Sequence, residues 1–217
     1  MKKKIGLLIL ALLILGGGAF GTRQYLYAMS HVTTDDAKID GRLVKVSPEI
    51  AGRVTEVRIK EGDAVEAGET LARLDEKNAS LQNRDSALVK APVTGVVIKE
   101  FVSVGENVSP GQRVFLLANL DDLYVSARIE ETKIERIHVG DPVSFTIDAF
   151  SGKQLQGVVE QIGLAADSTF SLLPTSNASG NFIKVTQRIP VKIKILDSNG
   201  LKLLPGMNTV VDITTRG

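Results

Sequence analysis

A single internal repeat constrains what this chain can fold into more than any other feature of its sequence. The segment Gly52–Leu74 recurs as Gly95–Leu117, 43 positions further on. Glycine allows the positive φ of tight turns, and apolar residues between the glycines can face a common interior. The repeat therefore predicts two β-hairpin-like units that cover each other's apolar faces as a small sandwich. Three glycines and three apolar residues keep their spacing: Gly52, Gly62, Gly68, Val54, Val65 and Leu71 correspond to Gly95, Gly105, Gly111, Val97, Val108 and Val114.

The N-terminus carries a hydrophobic segment behind a cluster of basic residues. Three lysines at positions 2–4 precede the apolar run Ile5–Phe20, which contains no charge, and Arg23 follows. Extended by the two residues after Phe20, the run reaches the roughly 17 residues that a membrane-spanning helix needs. The excess of lysines before the run predicts that residues 1–4 are cytoplasmic and that all later residues are extracytoplasmic.

This hydrophobic segment has a second interpretation, because a cleaved signal peptide has a similar layout. The small residues of Gly16–Gly21 offer no A-x-A cleavage site, and Tyr25 and Tyr27 suit the aromatic belt of a membrane interface. We therefore interpret residues 5–27 as an uncleaved single-pass anchor. Both interpretations place the folded part of the chain outside the cytoplasm.

The second half of the chain has the two-residue period of half-exposed strands. Apolar and polar residues alternate in four segments: Tyr124–Ile129, Val143–Asp148, Val191–Ile195 and Val211–Ile213. Such strands fit an antiparallel sheet or barrel with one solvated face. Glu130–His138 departs from this pattern. Ile134 and Ile137 are three residues apart there, and Gly140 can end a helix, so we predict one short helix.

Composition excludes several functional classes. The chain has no cysteine, which excludes a disulfide framework, a thiolate metal site and a cysteine nucleophile. A net charge of +1 and 5% aromatic residues offer neither a basic patch nor a stacking surface for nucleic acid.

The candidate catalytic residues are few. His31 and His138 lie far apart in the sequence, and neither has a nearby partner of the kind that a zinc site or a catalytic triad uses. The adjacent carboxylates Asp35 and Asp36 would point to opposite faces of an extended chain, so we expect them to be solvated. We predict no active site, no metal and no cofactor.

Further motifs accompany the repeat in order along the chain. They are Thr34–Ala37 (TDDA), Val46–Val54 (VSPEIAGRV), Ala91–Val97 (APVTGVV), Val108–Gln112 (VSPGQ), Phe170–Pro174 (FSLLP), Gly180–Phe182 (GNF) and Gln187–Val191 (QRIPV). The repeat resembles the biotinyl/lipoyl half-motif. With these motifs, the chain resembles the membrane fusion protein family, also called periplasmic adaptor subunits or HlyD-like proteins. The resemblance is closest to the EmrA-like branch, which partners multidrug exporters.

The resemblance implies a mainly β fold and a non-catalytic role in multidrug or small-molecule efflux. The adaptor would be a single-pass inner-membrane protein with its bulk in the periplasm. It would act as a homo-oligomer and link a transporter, of the major-facilitator type, to the exit path. The implied parts are a cytoplasmic tip (1–4), a transmembrane anchor (5–27), an extended linker or barrel strand (28–44), a lipoyl-like barrel-sandwich hybrid domain (45–75 and 89–118), a short connector (76–88) and an antiparallel β-barrel domain with one short helix (119–217).

The connector is where the sequence departs from the family pattern. Family members insert a long coiled-coil hairpin between the half-motifs, whereas here Asp75–Leu88 supplies about two helical turns per arm, roughly 10 Å. Contact with an outer-membrane channel is therefore left open. Lipoyl and biotin carriers display a modified lysine between their half-motifs, and Lys77 lies near that place without the Met-Lys-Met flanks. A carrier modified at Lys77 is one alternative, and an anchored extracytoplasmic binding protein without an exporter is another.

Gly163–Arg188 is a long segment rich in small and polar residues. Loops of this length without regular structure are often functional, and a merely solvated loop has no need of large apolar side chains. We identify a candidate partner-contact surface for the transporter or a neighbouring adaptor. The alternative is that its side chains fold back onto the barrel. The surface comprises Phe170, Leu172, Leu173, Asn181 and Phe182.

Overall fold

The computed structural model describes residues 16–17, 29–75, 84–166, 169 and 186–215. These residues form a mainly β structure that divides into two compact units. The sandwich unit comprises the described parts of Asp40–Leu123 and Leu203–Pro205. The barrel unit comprises those of Met1–Ile39, Tyr124–Lys202 and Gly206–Gly217.

Twelve strands form in the described part of the chain. Two of them, β1 and β8, have sixteen residues each and contribute to both units. The strands are β1 (His31–Val46), β2 (Gly52–Val57), β3 (Ala64–Val65), β4 (Thr70–Leu74), β5 (Leu88–Lys90), β6 (Gly95–Glu100), β7 (Asn107–Val108), β8 (Phe115–Glu130), β9 (Pro142–Ile147), β10 (Gln154–Ile162), β11 (Arg188–Asp197) and β12 (Asn208–Thr214).

The predicted repeat is confirmed at the level of the backbone. Strands β2 and β6 occupy the same positions of the two copies, and so do β3 and β7. Gly62 and Gly105 turn with φ of 95° and 94°, and Gly68 and Gly111 with 88° and 81°. These values lie in the region that side chains with a Cβ rarely adopt, which explains why the glycine spacing is kept in both copies.

The two copies exchange equivalent hydrogen bonds. The Gly62 amide donates to the Val97 carbonyl (2.8 Å), and at the corresponding place the Gly105 amide donates to the Val54 carbonyl (2.7 Å). The strand orders also correspond. One sheet of four strands contains the order β7-β2-β4, and the sheet of eight strands contains the equivalent order β3-β6-β8. Each half therefore completes the backbone pairing of the other, as a pseudo-twofold arrangement requires.

One hydrophobic core fills the sandwich unit, and most of its residues come in equivalent pairs. The core extends the repeat upstream of Gly52, because Val46 and Val89, also 43 positions apart, are both buried in it. The repeat identified in the sequence begins at Gly52, but the predicted domain bounds, 45–75 and 89–118, already include both valines. The segments after the two valines begin Ser-Pro and Lys-Ala, so their sequences give little sign that they correspond. The other equivalent pairs are Val54 and Val97, Ile59 and Val102, Val65 and Val108, Leu71 and Val114, Ala72 and Phe115, and Leu74 and Leu117.

The barrel unit is an antiparallel sheet with the strand order β1-β12-β9-β10-β11-β8, and the two end strands β1 and β8 are themselves paired. The predicted strands correspond to β8, β9, β11 and β12. Strand β10 was not predicted. Its inward positions include Leu155 and Val159 with Gly157 between them, so the apolar alternation is interrupted. A Cβ on Gly157 would lie 2.8 Å from both Ile193 Cγ2 and the Lys194 carbonyl oxygen, which leaves room only for glycine.

A β-bulge in β1 corrects the expectation for the paired carboxylates. Thr34 pairs with Val211 and Ala37 with Thr209, so one extra residue of β1 lies between them. Because of the extra residue, the alternate positions that face the core change from even-numbered to odd-numbered ones: Val32 is buried before the bulge, and Ala37 and Ile39 are buried after it. It leaves Asp35 exposed but turns Asp36 toward basic side chains of the barrel, so Asp36 is not simply solvated.

The predicted helix at Glu130–His138 is shorter than expected. Helix α1 comprises only Glu131–Ile134, and the next residues form tight turns. Further along, the Gly140 amide donates to the Val159 carbonyl (2.8 Å) on β10, with Gly140 at a φ of 92°, so the chain at this residue is attached to the sheet and is not helical. The predicted anchor, residues 5–27, lies outside the described residues except for positions 16–17. Within the described ranges, no helix combines the length and apolar character needed to cross a membrane.

Candidate functional site

The candidate partner-contact residues Phe170, Leu172, Leu173, Asn181 and Phe182 lie outside the described residues, and so does Lys77. The structure does show where Gly163–Arg188, the segment that carries the five contact residues, leaves the barrel and returns. Ile162 at the end of β10 pairs with Val191 on β11, and the Gly163 amide donates to the Pro190 carbonyl (2.7 Å). The contact prediction therefore stays a prediction, attached to one end of the barrel.

That end of the barrel is also where the chain enters it. The strand pairings show which strand ends lie together. The start of β1 is paired with the end of β12, the end of β12 with the start of β9, the start of β9 with the second half of β10, the end of β10 with the start of β11, and the start of β11 with the end of β8. The pairs are His31 and Thr214, Ile213 and Val143, Pro142 and Val158, Ile162 and Val191, and Arg188 and Glu130. Neighbouring strands are antiparallel, so the start of β1 and the loops β8–β9 and β10–β11 share one end. We call the described loop residues at this end, 29–30, 135–141 and 163–166, the entry rim.

The entry rim is held by hydrogen bonds. The Arg136 guanidinium donates to the Met29 carbonyl and to the His31 carbonyl, the latter at 3.3 Å. The buried Asp141 carboxylate accepts from the His138 amide (2.8 Å). These contacts fix the start of β1 to the loop after α1, and they leave the side chains of Met29, Val139 and Leu164 exposed.

An ionic cluster joins three strands near this end. Asp36 on β1 accepts from the guanidinium groups of Arg128 on β8 (3.4 Å) and Arg188 on β11. Thr34 Oγ1 donates to the Arg128 carbonyl (3.0 Å) and accepts from the Asp36 amide (3.2 Å). Sequence reasoning missed the cluster because its members are 92 and 152 residues apart. The TDDA motif is the only local signal of it.

The hollow beside the ionic cluster is small and polar. Its volume is about 70 Å³, and the side chains around it carry both signs of charge, Asp35 and Glu130 against Arg128, Lys133 and Arg188. Sites for drug-sized ligands are several times larger and mostly apolar. The arrangement is thus suited to tying strands together and not to holding such a ligand.

Within the part of the chain that the structure describes, neither histidine belongs to a cluster of potential metal ligands. His31 Nδ1 lies 2.9 Å from Asp212 Oδ1 on the neighbouring strand, so His31 does have a partner that the sequence did not reveal. Among the described residues, no three or more histidine, aspartate or glutamate side chains lie close enough together to hold a metal ion.

The two halves of the sandwich unit differ at their surfaces. In the first half, Glu61 Oε1 lies 2.8 Å from Nζ of Lys99, which is on β6 of the second half, and Arg58 Nη2 lies 3.1 Å from Glu56 Oε2. The hydrogen bond from Lys99, followed by that from the Glu100 amide, lowers the pKa of Glu61 below its usual value. The hydrogen bond from Arg58 likewise lowers the pKa of Glu56.

In the second half, the position that corresponds to Arg58 is Phe101. The Arg113 guanidinium covers its ring, with 4.2 Å from Cζ to the ring centre. Val104, at the position of Glu61, is exposed. The repeated backbone therefore presents a charged loop on one half and a partly apolar loop on the other.

Comparison with known proteins identifies both units. Residues 42–119 match the family model of the CzcB-like barrel-sandwich hybrid domain, and residues 122–214 match that of the AAEA-like beta-barrel domain. The chain is 37% identical over 185 residues to the putative efflux system component YhbJ of Bacillus subtilis (strain 168). That match covers 85% of this chain and 80% of YhbJ.

Longer relatives match over part of their length. The multidrug export protein EmrA of Escherichia coli (strain K12) is 30% identical over 199 residues, and the match covers 90% of this chain but 49% of that protein. The chain thus spans about half the length of this relative. The solved structure of the periplasmic adaptor protein EmrA has the same fold, with a TM-score of 0.59 at 19% identity, covering 87% of this chain and 99% of that one.

Proposed function

Because the chain belongs to the EmrA-like membrane fusion proteins, we propose that it is the extracytoplasmic adaptor subunit of a small-molecule export system. It would hold its sandwich and barrel units outside the membrane beside a transporter and contribute no chemical step. The observation that carries the proposal is the match to YhbJ, which extends over 80% of that protein and includes both units.

The proposed localisation rests on the N-terminal sequence. Residues 5–27 would anchor the chain by a single pass, with the lysines at positions 2–4 in the cytoplasm. The chain would then enter its first strand, His31–Val46, on the extracytoplasmic side. A proton-driven transporter of the major-facilitator type in the same membrane would be the partner, and several copies of the chain would surround its exit.

We assign no outer-membrane channel contact to the connector, residues 76–88. The described chain stops at Asp75, just after β4, and resumes at Arg84, just before β5. The eight residues between them would span at most about 30 Å even if fully extended. A helical hairpin of this length would have arms of only about one turn each.

Co-purification tests the proposal. The full chain, tagged at its C-terminus, would be co-expressed with multi-spanning transporters of the major-facilitator type from the same organism and purified in mild detergent. We expect one of these transporters to be retained with the chain and to be absent when an unrelated single-pass protein carries the tag. Failure to retain any of these transporters under all mild conditions would exclude the adaptor role.

The same preparation tests the carrier alternative. We expect the intact mass of the chain to show no addition at Lys77. Lys77→Arg would then leave the retention of the transporter unchanged. An added mass that disappears in Lys77→Arg would instead identify a lipoyl- or biotin-type carrier.

A further inference from the structure

We propose that the entry rim rests on the extracytoplasmic surface of the lipid bilayer and contacts lipid through Val139 and Leu164. The proposal depends on the proposed anchor for the position of the bilayer. It adds to the adaptor function a second membrane attachment, made by the folded barrel itself.

Two apolar side chains are presented at this rim on an ordered backbone. Leu164 is completely exposed and Val139 is 64% exposed. On either side of Val139, the His138 amide donates to Asp141 and the Gly140 amide donates to the Val159 carbonyl. On the Leu164 side, the Gly163 amide is bound to the Pro190 carbonyl (2.7 Å). The neighbouring backbone therefore keeps both side chains in solvent, at a cost that contact with lipid would remove.

The length of chain before the barrel brings this rim close to the membrane. The apolar run ends at Phe20, and Met29 is already attached to the rim through Arg136. The nine steps between these residues reach at most about 30 Å when fully extended. The chain enters the barrel at this rim and not at the opposite one, so the rim is the end of the barrel that the anchor holds nearest to the bilayer.

The charges of the rim favour contact through apolar groups over attraction to charged lipids. Glu135 and Arg136 of the rim, together with Glu131 and Lys133 of the adjacent helix α1, supply two charges of each sign. The Asp141 carboxylate is buried, and Lys133 is already paired with Glu130 at 3.0 Å. Isolated aliphatic side chains between balanced charges suit shallow insertion at the headgroup level. Protein-binding hot spots are instead rich in tryptophan, tyrosine and arginine. Contact with lipid should therefore occur on zwitterionic membranes and change little with salt.

The chain contains no tryptophan, so single-tryptophan variants report on each position separately. The full chain would be reconstituted alone into phosphatidylcholine vesicles that carry a quencher at a shallow acyl position. The variants are Leu164→Trp and Val139→Trp on the rim. Leu196→Trp, at a 62% exposed residue near the opposite end of β11, is the matched control. Tyr27→Trp reports on the anchor.

We expect strong lipid quenching and blue-shifted emission for Tyr27→Trp, Leu164→Trp and Val139→Trp, and neither effect for Leu196→Trp. Quenching of Tyr27→Trp alone would overturn the lipid contact and leave the anchor intact. No quenching at any position would overturn both the contact and the anchor. If the rim tryptophans become shielded only when the transporter is added, the rim contacts protein and the proposal is wrong.

Discussion

Gly52 and Gly95 occupy the same place in the repeat, yet the structure predicts that alanine is tolerated at only one of them. A Cβ on Gly95 would lie 2.5 Å from the carbonyl oxygen of Ala118 on β8. On Gly52 the nearest atoms are Asp75 Oδ1 and Leu74 Cβ, both at 3.2 Å. The Asp75 side chain can rotate away, and Leu74 Cβ, which is fixed to the backbone of β4, needs to shift by only a few tenths of an ångström. The Ala118 carbonyl cannot move freely, because β8 pairs with β6 at this point.

The magnitudes follow from these distances. Overpacking costs about 1–3 kcal/mol, and displacing β8 would weaken ladder hydrogen bonds worth roughly 0.5–1.5 kcal/mol each. We therefore expect Gly95→Ala to lower the free energy of unfolding of the sandwich unit by about 2–4 kcal/mol. For Gly52→Ala, the cost of relieving the tight contact is partly offset, because alanine lowers the entropy of the unfolded chain and so stabilises the fold by about 0.4–1 kcal/mol. The net loss in the free energy of unfolding should therefore be about 1 kcal/mol or less.

Thermal unfolding of the full chain in detergent, followed by circular dichroism, distinguishes the two variants. A unit of this size loses about 4–8 °C per kcal/mol, so Gly95→Ala should lower its transition by about 10 °C or more. Gly52→Ala should shift it by only a few degrees on the same scale. Equal shifts for the two variants, or a larger shift for Gly52→Ala, would refute the reasoning from close contacts.

Three further substitutions test other parts of the structure. Asp36→Asn removes the carboxylate charge that Arg128 and Arg188 share. Because these groups are partly exposed, we expect the free energy of unfolding to fall by about 1 kcal/mol, and by less in high salt. A loss independent of salt would contradict the ionic explanation. The pKa of Glu61 is lowered in the folded state, so its pairing with Lys99 stabilises the fold above pH 4.5 and this contribution disappears as the pH falls through the lower folded value. Unfolding measured against pH should therefore show Glu61→Gln less stable than the wild type at pH 7 and equal to it in acid, and a difference that grows in acid would show the sign to be wrong. Gly157→Ala should destabilise the barrel unit by roughly 1–3 kcal/mol in the same thermal assay, since its Cβ would meet the Lys194 carbonyl oxygen, and an unchanged transition would mean that β11 can move away.

The sequence predicted the sandwich unit well because its signals are local. Gly62 and Gly105 are needed for backbone turns, and turns of this kind leave the same spacing wherever they recur. The strands β8, β9, β11 and β12 were likewise evident from alternation within a few residues. By contrast, β10 was missed because Gly157 takes the place of an apolar residue on its inner face.

The features of the candidate site were harder to predict because they depend on residues distant in sequence. Asp36 acquires its role through a bulge in β1 and through arginines on two other strands. The entry rim is defined only once the register of six strands is known. No sequence pattern distinguishes Val139 and Leu164, which are exposed, from the buried Ile137.

Export itself is the most direct measurement of the proposed adaptor role. Cells lacking this gene and its transporter would carry the transporter that co-purifies with the chain, the full chain, or both. They would be loaded with a fluorescent lipophilic dye while de-energised, and dye efflux would be followed after energy is restored. The adaptor role predicts that transporter and chain together lower dye accumulation well below the level reached with either one alone. Full efflux by the transporter without the chain would contradict it.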